Sequence, residues 1–238
     1  MALFPQGTDV DRNRPHWLHR DYWILRVILE ETGRFSSRVG EEGRPVRVLD
    51  FGAGDSPYAD AFRSKGAEFL RADLGSVEPG VLSIASDGRV PLEDGTVDYL
   101  ISTQVLEHVL DPQAYLKEAL RLLRPGGEMF LSTHGSFLLH PHPIDLRRWT
   151  IDGLEHELRL AGFGDVSVHP RIGVLAAATH SRSIVVGGAL RRSIATRWLR
   201  GPWYLLANLR MMIEDKITPA SIMSANPEIL VSISRKPA

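Results

Sequence analysis

From Pro45 onward the chain alternates short apolar runs with segments of helical period. Val46–Phe51, Glu68–Ala72, Val81–Ala85, Val97–Ser102 and Glu128–Thr133 are too short for helices and read as strands. Strand, helix and strand in turn at this spacing predict a parallel sheet with helices on both faces. Asp111-Pro112 is an N-cap followed by proline at the first helical position, and Ser56-Pro57 reads the same way. The helix from Pro112 to Leu123 must end at Arg124-Pro125-Gly126-Gly127, which cannot continue it. Another helix, Ile151 to Ala161, is capped by Thr150 and stopped by Gly162, with strands near Asp165–His169 and Ile229–Ser234 beyond it. Ahead of the sheet, Trp17, Leu18, Tyr22, Leu25, Ile28 and Leu29 recur at roughly helical spacing. They predict an amphipathic helix or helix pair, stopped by Gly33 and by the run Gly40-Glu41-Glu42-Gly43.

Nearly 60 residues separate the last two strands, too many for a plain connection. From Val166 to Ile213 they contain no aspartate or glutamate, whereas Arg171, Arg182, Arg191, Arg192, Arg197, Arg200 and Arg210 are all basic. Pro202 after Gly201 is expected to break this stretch into two helices. The predicted organisation is an N-terminal helical cap over 1–44, a core formed by 45–170 with 226–238, and a basic helical insertion or lid over 171–225.

At 238 residues, with 43% hydrophobic and 24% charged positions, the chain fits one α/β domain with a sizeable core. Its net charge of −1 disfavours a nucleic-acid partner. The absence of cysteine excludes disulfides, thiolate metal sites and cysteine nucleophiles. No signal peptide is expected from a start carrying Pro5 and Asp9, and Ile172–Leu190, interrupted by His180 and Arg182, falls short of a membrane span. These features predict a cytoplasmic protein.

The chemistry is concentrated at strand ends. Val48-Leu49-Asp50-Phe51-Gly52-Ala53-Gly54-Asp55-Ser56-Pro57 is a buried strand running into a glycine turn that opens a helix, where the backbone can approach a ligand closely. Asp73 ends the second strand nineteen residues after Gly54, placed to accept hydrogen bonds from two ribose hydroxyls. Pro57 stands where a dinucleotide fingerprint would want glycine, which disfavours a nicotinamide-dependent oxidoreductase.

Ser86-Asp87-Gly88, then Pro91 through Tyr99, Gln104-Val105-Leu106-Glu107-His108-Val109 and Leu123-Arg124-Pro125-Gly126-Gly127 follow in order. With these motifs the segment from Val46 to about Val168 resembles the class I S-adenosylmethionine-dependent methyltransferases of type 11-like pattern. The resemblance implies a Rossmann-like, seven-stranded, mostly parallel sheet, with the cap and lid added to it. It implies S-adenosylmethionine as cofactor, with Asp50, Gly52, Ala53 and Gly54 lining the methionine end, Asp73 and Leu74 at the ribose, Asp87 and Gly88 at the adenine, and Gln104 and Val105 flanking it. Glu107 and His108 read as a short helix after the fourth strand, His108 satisfied locally.

Methyl transfer needs in-line alignment, and a hydroxyl acceptor also needs a base. The base candidates follow the fifth strand: His142 first, then His140 and His134. This region more loosely resembles bacterial methyltransferases of glycan and secondary-metabolite pathways. Tyr22, Asp145, Arg148 and Trp149 are the candidate acceptor contacts, though Asp145 can instead pair with an arginine and Trp149 can pack beneath the following helix. His140, His142 and Asp145 on a proline loop are a weak metal signal, and no metal is expected. The reading favours O-methylation of a small or carrier-linked sugar, glycolipid or natural product. A C-methyltransferase of a quinone-like or polyketide scaffold and a methyltransferase-like binding subunit without turnover stand as alternatives. The basic insertion suits an anionic acceptor or a peripheral membrane surface; the oligomeric state is left open.

Overall fold

The structure, a computed structural model, describes residues 11–39, 44–141 and 144–238. Seven strands form one sheet: β1 (Arg47–Phe51), β2 (Glu68–Leu74), β3 (Val81–Ile84), β4 (Val97–Thr103), β5 (Leu123–His134), β6 (Gly164–Arg171) and β7 (Ile229–Arg235). Their order is β3-β2-β1-β4-β5-β7-β6; β1 to β5 are parallel, and β7 is antiparallel to both its neighbours. This is the expected Rossmann-like sheet. Chain order reverses between β1 and β4, and such a switch point opens a crevice at the carboxyl ends of the strands.

Alternation along the strands feeds two cores. On one face, α3 (Pro112–Leu122) and α4 (Ile151–Ala161) bring Leu116, Ala119, Leu154 and Leu158 onto Leu49, Phe51, Leu100 and Leu131. On the other, Ile28 and Phe35 of α1 (Tyr22–Ser36) and Phe62 of α2 (Ala59–Arg63) meet Val48, Tyr99, Ile101 and Phe130. Ala176 of α5 (Val174–Arg191) and Met211 of α6 (Arg200–Ile217) join this second core. The insertion, completed by the short α7 (Ala220–Met223), therefore shares apolar packing with the sheet.

Asp111 accepts from Ala114 N (3.0 Å), Thr150 accepts from Gly153 N (3.0 Å), and Gly162 takes φ of 108° to end α4. Three local expectations are corrected. Ser56 does not cap a helix at Pro57: α2 begins at Ala59 with Tyr58 at the cap position. The loop turns through positive φ at Gly52, Gly54 and Ser56 before the helix can start. Gly33 does not stop α1, because Phe35 and Ser36 are buried and their packing outweighs a glycine cost of about 1 kcal/mol. Pro202 lies in the first turn of α6, where a missing N–H costs little, and the break between helices falls before it. The 40–43 run lies outside the described residues.

The insertion leaves the sheet at Arg171, which pairs with Ile229, and returns at Ile229, which also pairs with His134. Both connections thus sit at the carboxyl edge of the parallel strands. The cap and insertion are stitched together: Asn208 Nδ2 donates to the carbonyls of Trp17 (2.9 Å) and His19 (2.8 Å), and Trp23 Nε1 donates to Asp215 (3.1 Å). Among the described residues no helix is long and apolar enough to cross a membrane.

Candidate active site

The turn after β1 is held by main-chain bonds. Gly52 N and Ala53 N donate to the carbonyl of Ala72 (2.9 and 3.0 Å), joining the ends of β1 and β2. Asp73 is gripped by two backbone donors, Gly54 N on Oδ2 (2.8 Å) and Leu74 N on Oδ1 (2.7 Å), which leaves each oxygen a further lone pair. Gly52 has φ of 82°, and a Cβ there would lie 2.7 Å from the Val105 side chain, so glycine lets the loop after β4 close on the loop after β1. A Cβ at Gly54 would meet nothing within 4 Å, so that side of the turn is open. Gln104 adopts φ of 56°, its N bonded to the Ser132 carbonyl (2.8 Å) and its Nε2 donating to Ser132 Oγ (3.1 Å); Oε1 is buried without a partner. Such strain in a non-glycine residue often marks a functional site. Asp87 accepts from Arg89 N (3.0 Å) on an exposed turn after β3, beside Gly88.

Asp50 is the group that tests the cofactor fit. It is buried, and neither carboxylate oxygen has a hydrogen-bond partner. Burial pushes it up to about 7; the Ser56 hydroxyl nearby favours the charged form without reaching hydrogen-bond geometry, and Asp73 and Asp55 oppose it. A buried, unpaired carboxylate beside an open glycine turn calls for a cationic ligand with N–H donors, and the ammonium of S-adenosylmethionine supplies both.

The next two strand ends hold a second constellation. Glu107 sits in the 3₁₀ turn Leu106–His108 after β4 and is fully buried. Thr133 Oγ1 donates to its Oε2 (2.8 Å), and His134 Nε2, at the end of β5, lies 3.2 Å from Oε1. Burial raises Glu107 to about 7. Burial, with His140 and Arg148 adding to it, drives His134 well below its usual range. The His134 ring stacks on Phe137 at 4.3 Å, and its Nδ1 is buried without a partner. His140 meets His134 edge-on at 5.9 Å.

Of the expected acceptor residues, Asp145 takes two bonds from Arg148 (2.5 and 2.7 Å) and one from His140 N (2.6 Å). Arg148 also donates to the carbonyls of Phe137 and Leu138, so this pair holds its loop folded. Trp149 packs against the core under α4, its N bonded to the His134 carbonyl (3.0 Å). Tyr22 is buried at the start of α1 and stacked on Trp17 at 4.3 Å. His142 lies outside the described residues. Among those described, no group of three or more metal-ligating side chains is arranged to hold an ion.

Two residues emerge that sequence reasoning undervalued. Glu107 does lie in a short helical turn, and its signal in the sequence is an acid placed directly after a buried strand. His180 is fully buried in α5, with Nδ1 2.6 Å from Glu228 Oε1 and Nε2 3.1 Å from Asp21 Oδ1. Although burial opposes it, these carboxylates push His180 up to about 10, and the bond to His180 holds the partly buried Asp21 well below the usual carboxylate range. The signal was a histidine in an apolar stretch with no acid nearby in sequence, which obliges distant partners.

Residues 17–164 match the family model described as a methyltransferase domain. A protein of Mycolicibacterium smegmatis named "Probable S-adenosylmethionine-dependent methyltransferase" is 28% identical over 95% of this chain and 94% of its own length. A ubiquinone biosynthesis O-methyltransferase of Cupriavidus pinatubonensis is 35% identical over 37% of this chain and 41% of its own length, so only a segment of it is spanned. Among solved structures, the (4+2)-cyclase SpnF superposes with a TM-score of 0.60 at 17% identity, covering 91% of this chain and 82% of that one. A phosphoethanolamine N-methyltransferase of Haemonchus contortus with S-adenosylhomocysteine bound gives 0.56 at 16%, covering 88% and 53%. At such identities the structural likeness speaks for the fold alone, and one of the two is named for a cyclisation. With the family model spanning more than half its residues, the chain belongs to the class I S-adenosylmethionine-dependent methyltransferases.

Proposed function

We propose that the protein O-methylates a small or carrier-linked acceptor, a sugar, glycolipid or natural product, with His134 as general base and Glu107 as its positioning residue. The observation that carries this reading is the buried Glu107–His134 pair at the carboxyl ends of β4 and β5, with His134 Nδ1 unpartnered, β4 lying next to the β1 strand that leads into the Asp50–Gly54 turn and β5 one strand farther.

Asp50, Gly52, Ala53 and Gly54 would hold the methionine end of the cofactor, Asp73 and Leu74 the ribose, Asp87 and Gly88 the adenine, with Gln104 and Val105 alongside. When bound, S-adenosylmethionine supplies a methyl carbon made electrophilic by its sulfonium. The chain's own residues must align a nucleophile with that carbon and remove the nucleophile's proton. His134 is depressed by burial and so is neutral near pH 7; its Nδ1 is buried without a partner and would take the hydroxyl proton once the acceptor reaches it. His134 Nε2 lies 3.2 Å from Glu107 Oε1, outside hydrogen-bond geometry, and as the ring becomes cationic the carboxylate form of Glu107 would be favoured in turn. Phe137 covers one face of the ring at 4.3 Å. The name of the Cupriavidus relative supports oxygen as the methylated atom.

The test pairs calorimetry of S-adenosylhomocysteine binding with a turnover screen over hydroxylated acceptors, the methylated atom being identified by NMR. His134→Asn should bind S-adenosylhomocysteine as the wild type does and lose roughly 10²–10⁴-fold in turnover. Products methylated on nitrogen or carbon, or turnover untouched in His134→Asn, would overturn the reading.

A further inference from the structure

The tip of the α5–α6 hairpin crowds together arginines without carboxylate partners, where elsewhere in the insertion only Arg182, which donates to the Ala178 carbonyl, has none among the described residues. Arg171 and Arg210, near the sheet, each have a carboxylate partner, Glu31 and Glu214 respectively. Among the described residues, no carboxylate lies within ion-pair distance of Arg191, Arg192, Arg197 or Arg200, which crowd the ten residues of the tip. Between these arginines stand Ile194, 77% exposed, and Trp198, 68% exposed. Along α6 an apolar stripe continues at helical spacing through Leu206, Leu209, Ile213 and Ile217, all exposed.

Several polar groups of the tip are closed within it, although Arg200 Nε is buried without a hydrogen-bond partner. Trp198 Nε1 donates to the Ala195 carbonyl (2.8 Å), Thr196 Oγ1 to Leu190 O (3.0 Å), and the amides of Thr196, Arg197 and Leu199 to carbonyls within the turn. An indole with its N–H satisfied can leave water without the cost of an orphaned donor.

We infer that this hairpin tip seats the protein on an anionic lipid bilayer. Unpaired arginines beside exposed tryptophan and isoleucine match such a surface: phosphates take the guanidinium groups, and the interfacial layer takes the apolar side chains. A second copy of the chain is a poorer occupant, because two tips would bring like charges together with no acid from Val166 to Ile213 to relieve them. A nucleic acid would answer the arginines but leave Ile194 and the α6 stripe exposed to water. The hairpin is rooted where Arg171, Ile229 and His134 pair, at the edge that carries the candidate site, so a seated tip would tether the site close to the lipid. This deepens the carrier-linked reading of the acceptor, but lipid binding stands or falls independently of His134 and of turnover.

The experiment is co-sedimentation of the full chain with vesicles of phosphatidylcholine alone and of phosphatidylcholine mixed equally with phosphatidylglycerol. Binding should require phosphatidylglycerol and weaken as salt is raised. Arg191→Ala with Arg197→Ala should weaken it about thirtyfold, roughly fivefold for each arginine. Trp198→Ser should weaken it with the salt dependence unchanged, and both variants should bind S-adenosylhomocysteine as the wild type does. The inference is overturned by equal binding to the two kinds of vesicle, by arginine variants that bind undiminished, by tighter retention on a single-stranded RNA, or by a tip-dependent dimer in place of vesicle binding.

Discussion

Two buried histidines, both beside carboxylates, have been driven in opposite directions. His180 is bonded at both ring nitrogens, to Glu228 and Asp21, and is held as a cation up to about 10. His134 has one nitrogen 3.2 Å from Glu107, itself raised to about 7, and the other nitrogen unpartnered, so it stays neutral. Burial penalises both rings; what differs is whether two hydrogen-bonded carboxyl groups offset that penalty or a single one outside hydrogen-bond geometry fails to. The first arrangement suits a structural ion, pinning α5, the entry to β7 and the start of α1 together. The second suits a base, since only a neutral ring can take a proton.

The contrast breaks most visibly on truncation. His180→Ala leaves the buried Glu228 without its cation and Asp21 with Arg20 alone, and should cost about 3–5 kcal/mol in urea unfolding, whereas His134→Ala, which removes a neutral ring, should cost about 1–3 kcal/mol. Equal losses would erase the distinction. A smaller effect should come from Asp50, a buried acid with no partner of either kind. If ligand binding requires its carboxylate form, S-adenosylhomocysteine affinity should fall about tenfold for each pH unit below about 7, and Asp50→Asn should bind more weakly with that slope gone. Calorimetry across pH reads both.

The finest test is the pH dependence of stability, where the two histidines should slope in opposite ways. Because His180 is raised in the fold, its contribution is fully present below about 6.5 and is lost as pH rises through about 10. Asp21, lowered in the fold, contributes above about 3.8 and loses that as pH falls, while the raised Glu228 gives back part of the gain above 4.5. His134 is lowered, so the unfolded chain takes up a proton that the fold refuses, and stability is lost as pH falls below 6.5. The stability difference between wild type and His180→Gln should therefore shrink from pH 6.5 upward. The corresponding cost of His134→Asn should shrink as pH falls from 6.5 toward 5. Parallel slopes in urea titrations would show that the two rings share one electrostatic environment.

Much of this was legible in the chain. The strands fell where short apolar runs predicted them, because residues covered on both sides must be apolar in nearly every position. Asp111, Thr150 and Gly162 capped as expected, since capping uses only neighbours a few residues away. Ser56 misled because its loop turns through positive φ at Gly52, Gly54 and Ser56, with Gly52 packed against Val105, about fifty positions downstream of Ser56. Glu107 and His134 stand 27 residues apart and meet only because β4 pairs with β5.

Hydrophobic period, local caps and the glycine turn, all interactions of short range, were enough to specify the elements and the family on their own. The protonation states of Asp50, Glu107, His134 and His180 were decided only by packing, since a buried group's charge depends on which distant side chains share its low-dielectric surroundings.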